Sequence, residues 1–191
     1  GVLVVGSGQT PNDLLDQRDQ LVAELSEFVQ VTTLPADDGT LAVFVAGGQR
    51  LVLGTQATAL AFVSDEFDIT RGAIAVQDGG TLRPLPSSML TGGRIGGLLR
   101  FQNEDLTDAR AALGRMAAAF SASVNEQQAL GLDLRIPPGA GAPMFAFGAP
   151  LALASQNNAR DAAGNFIGSV SMVIADETAL QASEYALTPD A

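Results

Sequence analysis

Residues 92–130 are GGRIGGLLRFQNEDLTDARAALGRMAAAFSASVNEQQAL, a glycine-rich opening followed by a long helical pattern. Two glycine pairs, Gly92-Gly93 and Gly96-Gly97, punctuate its start, and Pro84 and Pro86 stand just upstream. Such punctuation marks a boundary between elements. Beyond it Leu98, Leu106, Ala109, Leu113, Met116, Phe120 and Val124 share one helical face. The spacing predicts a helix over about 97–129. Seven alanines between 109 and 122 present little bulk, so a neighbouring helix can come close. A helix of this length has more face than a small core needs. It reads as a rod packed against other helices, some of them outside this chain.

Working backwards, Thr10-Pro11-Asn12-Asp13 is a helix start. Thr10 suits the N-cap, Pro11 the first helical position, and Asp13 the positive end of the dipole. Leu14, Leu15, Leu21, Val22, Leu25, Phe28 and Val29 follow at spacings of three, four and seven. They predict an amphipathic helix over about 11–29, with a seam close to a heptad.

Between the two helices the period falls to two. Val29, Val31 and Thr33 alternate with polar residues, Asp37-Asp38-Gly39 is a hairpin signal, and Leu41, Val43 and Val45 alternate after it. Ala46-Gly47-Gly48-Gln49, Gly54-Thr55 and Asp78-Gly79-Gly80 punctuate further short apolar runs at 51–53, 60–63, 73–76 and 81–83. Residues 30–85 therefore predict a small antiparallel meander. After the long helix, Pro137, Pro138, Pro143 and Pro150 break the chain into loops with short strands. Val170, Met172 and Ile174 alternate as one strand, and Asp176 to Leu180 starts a turn or short helix.

The expected fold class is thus α+β. Two long amphipathic helices form part of a discontinuous, incomplete helical rod domain, 11–29 and 92–133. An antiparallel β-meander, 30–88, is inserted between them. A loop- and strand-rich C-terminal segment, 134–191, begins a second outer β region.

Composition narrows the chemistry. The chain has 191 residues, ten of them arginine, and no Lys, His, Cys or Trp. A Ser-His-Asp or Cys-His set needs an imidazole. Schiff-base chemistry and a P-loop both need Lys. Cys/His zinc sites and disulfides are impossible. The remaining repertoire favours a protein that is not an enzyme, with no catalytic, cofactor-binding or metal-ligating residues and no cofactor. The net charge of −11 and pI near 4.2 argue against nucleic acid and against anionic membrane surfaces. Self-repulsion and solubility are the plain reading of that charge. No apolar run approaches the ~18 residues that span a bilayer. Gly1-Val-Leu-Val-Val-Gly6 lacks the basic flank and length of a signal peptide core.

Four constellations invite sharper readings. Asp65-Glu66-Phe67-Asp68 places three carboxylates in four residues, but lacks the alternation and glycine of an EF-hand loop. A solvated loop explains it better. Asp37-Asp38-Gly39 is accounted for as a hairpin turn. Asp13, Asp16 and Asp19 could offer an acid–base pair, yet dipole compensation and an ion-paired face with Arg18 suffice. Gly92-Gly93-Arg94-Ile95-Gly96-Gly97 resembles a phosphate loop without its Lys-Ser/Thr, so a flexible strand-to-helix joint is expected. Tyr185, the single tyrosine, reads as a packed or interfacial ring.

The phrase Pro11-Asn12-Asp13-Leu14-Leu15-Asp16-Gln17-Arg18-Asp19-Gln20-Leu21-Val22 resembles the most recognisable segment of the flagellar hook-associated protein 1 family. It is followed by Asp38-Gly39-Thr40, Gly48 and Leu51-Val52-Leu53-Gly54, then by Gly92-Gly93-Arg94-Ile95-Gly96-Gly97-Leu98-Leu99. Leu113-Gly114-Arg115 and Val124-Asn125-Glu126-Gln127-Gln128-Ala129-Leu130-Gly131-Leu132-Asp133 come next. Near the end, Ile174-Ala175-Asp176 and Ala182-Ser183-Glu184-Tyr185 are also similar. The likeness is strong over 11–25 and 92–133 and weak over 134–170. It departs at Leu134-Arg135-Ile136-Pro137-Pro138, where the family tends to carry an Asn-Gly loop.

The resemblance implies a structural subunit of the bacterial flagellum, a middle fragment of a longer chain. It implies export through the flagellar channel and assembly as an extracellular ring between hook and filament. Implied partners are neighbouring copies, the hook protein, the second junction protein and, through a missing C-terminal region, an export chaperone. Two other classes stay open at this point. A secreted carboxylate-dependent enzyme such as a glycosidase requires two carboxylates ~5–10 Å apart in a cleft. A surface adhesin or binding module requires an exposed apolar or aromatic groove.

Overall fold

Helix α1 spans Pro11–Phe28 in a computed structural model of the chain. The structure describes residues 11–37, 39–146, 148–176, 179, 181 and 187. Thr10 and Tyr185 lie outside the described residues, as do most of the positions expected to start a turn after Asp176. The last turn of α1 closes with the Val29 N–H donating to the Leu25 carbonyl at 3.1 Å, and Val29 is the first fully buried side chain.

The chain then enters two antiparallel sheets. The first holds β1 (Val31–Pro35), β2 (Leu41–Val45), β3 (Gln49–Leu53) and β4 (Gln56–Ala57) in sequence order. The second holds β5 (Leu60–Ser64), β6 (Gly72–Asp78) and β7 (Thr81–Pro84). The β1–β2 hairpin aligns Val31 with Val45 and Pro35 with Leu41. Its turn is closed by Gly39 N–H to the Ala36 carbonyl at 3.0 Å, with Gly39 at φ 81°.

The single expected meander is corrected to two sheets. At 58–59 the ladder changes partner: Thr58 N–H still bonds the Leu51 carbonyl, while the Ala59 carbonyl already accepts from Gln77 N–H. Short-range turn signals place each hairpin, but cannot tell which neighbour the next strand joins.

The chain divides into two compact units. The first comprises the described residues through Asp65 together with Ile69–Phe101. Its core gathers Val29, Val45, Ala46, Leu51, Val76, Leu85, Leu90 and Leu99, drawn from the residue that follows α1, both sheets, their connections and the next helix. Burying each large aliphatic side chain contributes about 1.5–3 kcal/mol. The second unit comprises Glu66–Asp68 and the described residues from Gln102 onward.

The long helix expected over 97–129 begins earlier and is not uniform. Helix α2 runs Gly93–Arg100, a π-helical turn covers Phe101–Asp105, and α3 runs Leu106–Ala129. The Thr107 hydroxyl donates to the Gln102 carbonyl, five residues back, at 3.3 Å. That is the spacing a π turn offers.

The expected strand at Val170, Met172 and Ile174 does not form. Among the described residues beyond 130, pairing is limited to two isolated bridges, Leu132 with Ala140 and Arg160 with Phe166. Alternation marks a segment able to line a sheet face. It supplies no partner, and Val173 stands 86% exposed. Two local turns organise this region instead. Asp133 accepts from Arg135 N–H at 3.1 Å and Gly139 N–H at 2.9 Å. Asp161 accepts from Ala163 and Asn165 N–H, both at 2.9 Å.

Candidate functional site

The glycine stretch is a packed joint inside the first unit. Gly92 and Gly93 both carry positive φ, 72° and 63°. A Cβ on Gly93 would collide with the Phe28 carbonyl at the end of α1. The close approach is held by Gln30 N–H to the Thr91 carbonyl at 3.3 Å and by the Thr91 hydroxyl on Gln30 Oε1 at 2.8 Å. Arg94 lies over the Phe28 ring at 5.7 Å. The expected flexible joint is thus a tight one, which brings the start of α2 onto the end of α1.

Beside it lies a groove of about 240 Å³ lined by Gln30, Thr32, Val45, Ala46, Gly47, Ser88, Met89 and Thr91. None of these side chains is ionisable, so the groove offers no carboxylate for glycosidase chemistry.

The three acidic candidates resolve separately. Asp13, Asp16 and Asp19 sit on the exposed side of α1, and Asp19 pairs with Arg18 at 2.6 Å. Glu66 bonds within the second unit. Its carboxylate accepts from the Ser155 hydroxyl, and its carbonyl from Gln156 N–H at 2.9 Å. Asp37 lies in the β1–β2 turn, while Asp38 is outside the described residues. Among the described residues no three acidic side chains converge on a point able to hold a metal ion.

The α3 face carries the larger correction. Leu113, Met116 and Phe120, expected as a packed face, are 67%, 68% and 61% exposed. Among the residues of α3, Ala118 alone is buried, with Leu106, Thr107, Ala111, Ala112, Ser121, Ala122, Val124 and Asn125 half-buried. Small residues let other backbone approach, so α3 turns its alanine side inward and leaves the bulky stripe outward. On α1, Leu14, Leu21 and Phe28, seven residues apart, are likewise exposed. Heptad-spaced apolar stripes left open on helices are what a coiled bundle buries against further helices.

A family model described as the flagellar hook-associated protein FlgK helical domain matches residues 3–145. The chain belongs to the FlgK family.

Flagellar hook-associated protein 1 of Salmonella typhimurium is 38% identical over 188 residues, 97% of this chain and 32% of that protein. The Escherichia coli K12 relative is 37% identical over the same length, 97% of this chain and 33% of its own. The structure of the flagellar hook junction protein FlgK from Burkholderia pseudomallei superposes with a TM-score of 0.77 at 37% identity. That match covers 91% of this chain and 31% of the other. The FlgK-family chain therefore spans about a third of the length of these relatives.

Three residues that organise the second unit were not singled out from the sequence. Asn125, in α3, hydrogen-bonds the backbone at Met144 and Phe145. Asp133 and Asp161 each nucleate a turn. Their carboxyls are held below the usual range, chiefly by the Gly139 N–H for Asp133 and the Asn165 N–H for Asp161.

Proposed function

We propose that this chain is part of a structural, non-catalytic subunit of the bacterial flagellum at the junction of hook and filament. In this reading the protein is exported through the flagellar channel and assembles outside the cell as a ring of copies. The hook protein and the second junction protein are its neighbours, and an export chaperone engages a region outside this chain. Residues 11–29 and 92–133 belong to one discontinuous helical rod domain. Residues 30–88 are an inserted antiparallel β domain, and 134–191 begins an outer segment.

The observation that carries the reading is the open stripe of Leu113, Met116 and Phe120 on α3, in a chain matched over residues 3–145 by the FlgK helical-domain model. Helices beyond this chain, from the same subunit, are the occupants the stripe calls for. Complementation tests it. Cells lacking the full-length gene are expected to carry hooks without filaments, and the intact gene to restore them. A full-length variant carrying Leu113→Arg and Phe120→Arg is expected to fail. Normal filaments in the deletion strain would refute the junction role. Normal filaments with the double variant would refute the role of the stripe.

A further inference from the structure

The family match to the helical domain ends at residue 145, and the structure grips the chain at that point. Asn125 is half-buried in α3. Its Oδ1 accepts from Met144 N–H at 2.8 Å and from Phe145 N–H at 3.0 Å. Its Nδ2 donates to the Phe145 carbonyl at 2.8 Å. One side-chain amide thereby engages both backbone groups of a single residue, as a neighbouring β-strand would. All three bonds use one orientation of the amide, with the oxygen toward the two N–H groups.

Three further contacts seat the same segment. Gly141 N–H donates to the Gly131 carbonyl at 2.9 Å. Gly141 also runs so close to the end of α3 that a Cβ would collide with the Gln128 carbonyl. The Phe145 ring packs on Phe120 with centroids 5.8 Å apart and planes tilted by 58°. The Met144 and Phe145 side chains stay exposed, so their burial holds the segment only weakly.

We propose that Asn125 is a backbone clamp that closes residues 141–145 as a strap over the C-terminal end of the α3 apolar stripe. The clamp determines where the stripe ends, because it sets Phe145 against Phe120. It also sets the point from which the chain departs into 148–176. The clamp itself contacts backbone atoms alone, so it constrains no strap side chain directly; Gly141 and the Phe145 ring are fixed by their own contacts. It stands on the geometry of this chain and does not require the junction reading.

Residue-resolved amide exchange on the whole 191-residue chain tests it. Asn125→Leu keeps the side-chain volume and deletes all three bonds. It is expected to speed exchange at Met144 and Phe145 at least tenfold and to open a protease site between 140 and 150. Amides 108–120 of α3 should stay unchanged. Asn125→Asp retains the acceptor for both N–H groups and should regain most of their protection. Phe145→Ala removes the ring contact and should leave Met144 protected within threefold. The clamp is refuted if Asn125→Leu leaves both amides within twofold of the parent, or if Asn125→Asp regains nothing. It is equally refuted if Phe145→Ala frees the strap as fully as Asn125→Leu, or if Asn125→Leu unprotects all of α3.

Discussion

Gly93 and Gly97 stand four positions apart in one helix and obey different constraints. Gly93 has φ 63° and lies against the Phe28 carbonyl, whereas a Cβ on Gly97 meets nothing within 4 Å. Gly93→Ala should destabilise the chain by about 1–3 kcal/mol through backbone strain, with the collision adding to it. Gly97→Ala should be neutral or stabilise by up to ~1 kcal/mol through helix propensity. Urea unfolding midpoints of the two variants check both. The same glycines looked alike in the sequence, because composition carries no information on which backbone passes overhead.

Asp133 and Asp161 make a pH prediction at the same scale. Their native carboxyls titrate below the usual range because backbone N–H groups, Gly139 and Asn165 first, bond the charged form. A lowered native pKa contributes stability in full above the unfolded value, about 3.9. That contribution is lost as the pH falls through the lowered native value. Protection of the Gly139 and Asn165 amides, taken relative to the intrinsic exchange rate at each pH, should therefore fall on acidification below about pH 4. Asp133→Asn and Asp161→Asn should remove that pH dependence, each at its own turn.

Among the elements, the two kinds of apolar residue in this chain should respond in opposite ways. Leu90 is buried at the joint between the sheets and α2, and Leu113 is open on α3. Leu90→Ala should cost about 2–5 kcal/mol, as a buried leucine truncation does. Leu113→Ser should shift the stability of this chain by no more than about 0.5 kcal/mol. Thermal unfolding of the two variants separates them. Helix α1, α3 and the β1–β2 hairpin were legible from periodicity, since amphipathic spacing follows directly from backbone geometry, whereas the short strand β4 was not. The π turn at Phe101–Asp105 and the change of sheet at 58–59 were not. Both are decided by contacts between residues distant in sequence or by one extra residue in a turn. The strand read at Val170 to Ile174 failed for a related reason, a face without a partner.

For the whole molecule, charge and apolar surface oppose each other. A net charge of −11 keeps copies apart, while the stripes on α1 and α3 favour association. Raising salt from about 0.05 to 0.5 M shortens the screening length to a few ångströms and should promote self-association. Light scattering against ionic strength measures this, and Leu113→Ser with Phe120→Ser should blunt the response. A salt response that the double variant leaves unaltered would assign association to another surface.

The amino-acid sequence by itself determined which side-chain chemistries are unavailable, where α1, α3 and the β1–β2 hairpin lie, and to which family the chain is similar. Those properties depend on residue identity and on spacing within a dozen positions. The tertiary structure decided which face of α3 turns inward, because the alanine and leucine faces are both apolar and only close approach chooses between them. It also decided that Asn125 grips Phe145, twenty residues away, since nothing local to either residue requires the other.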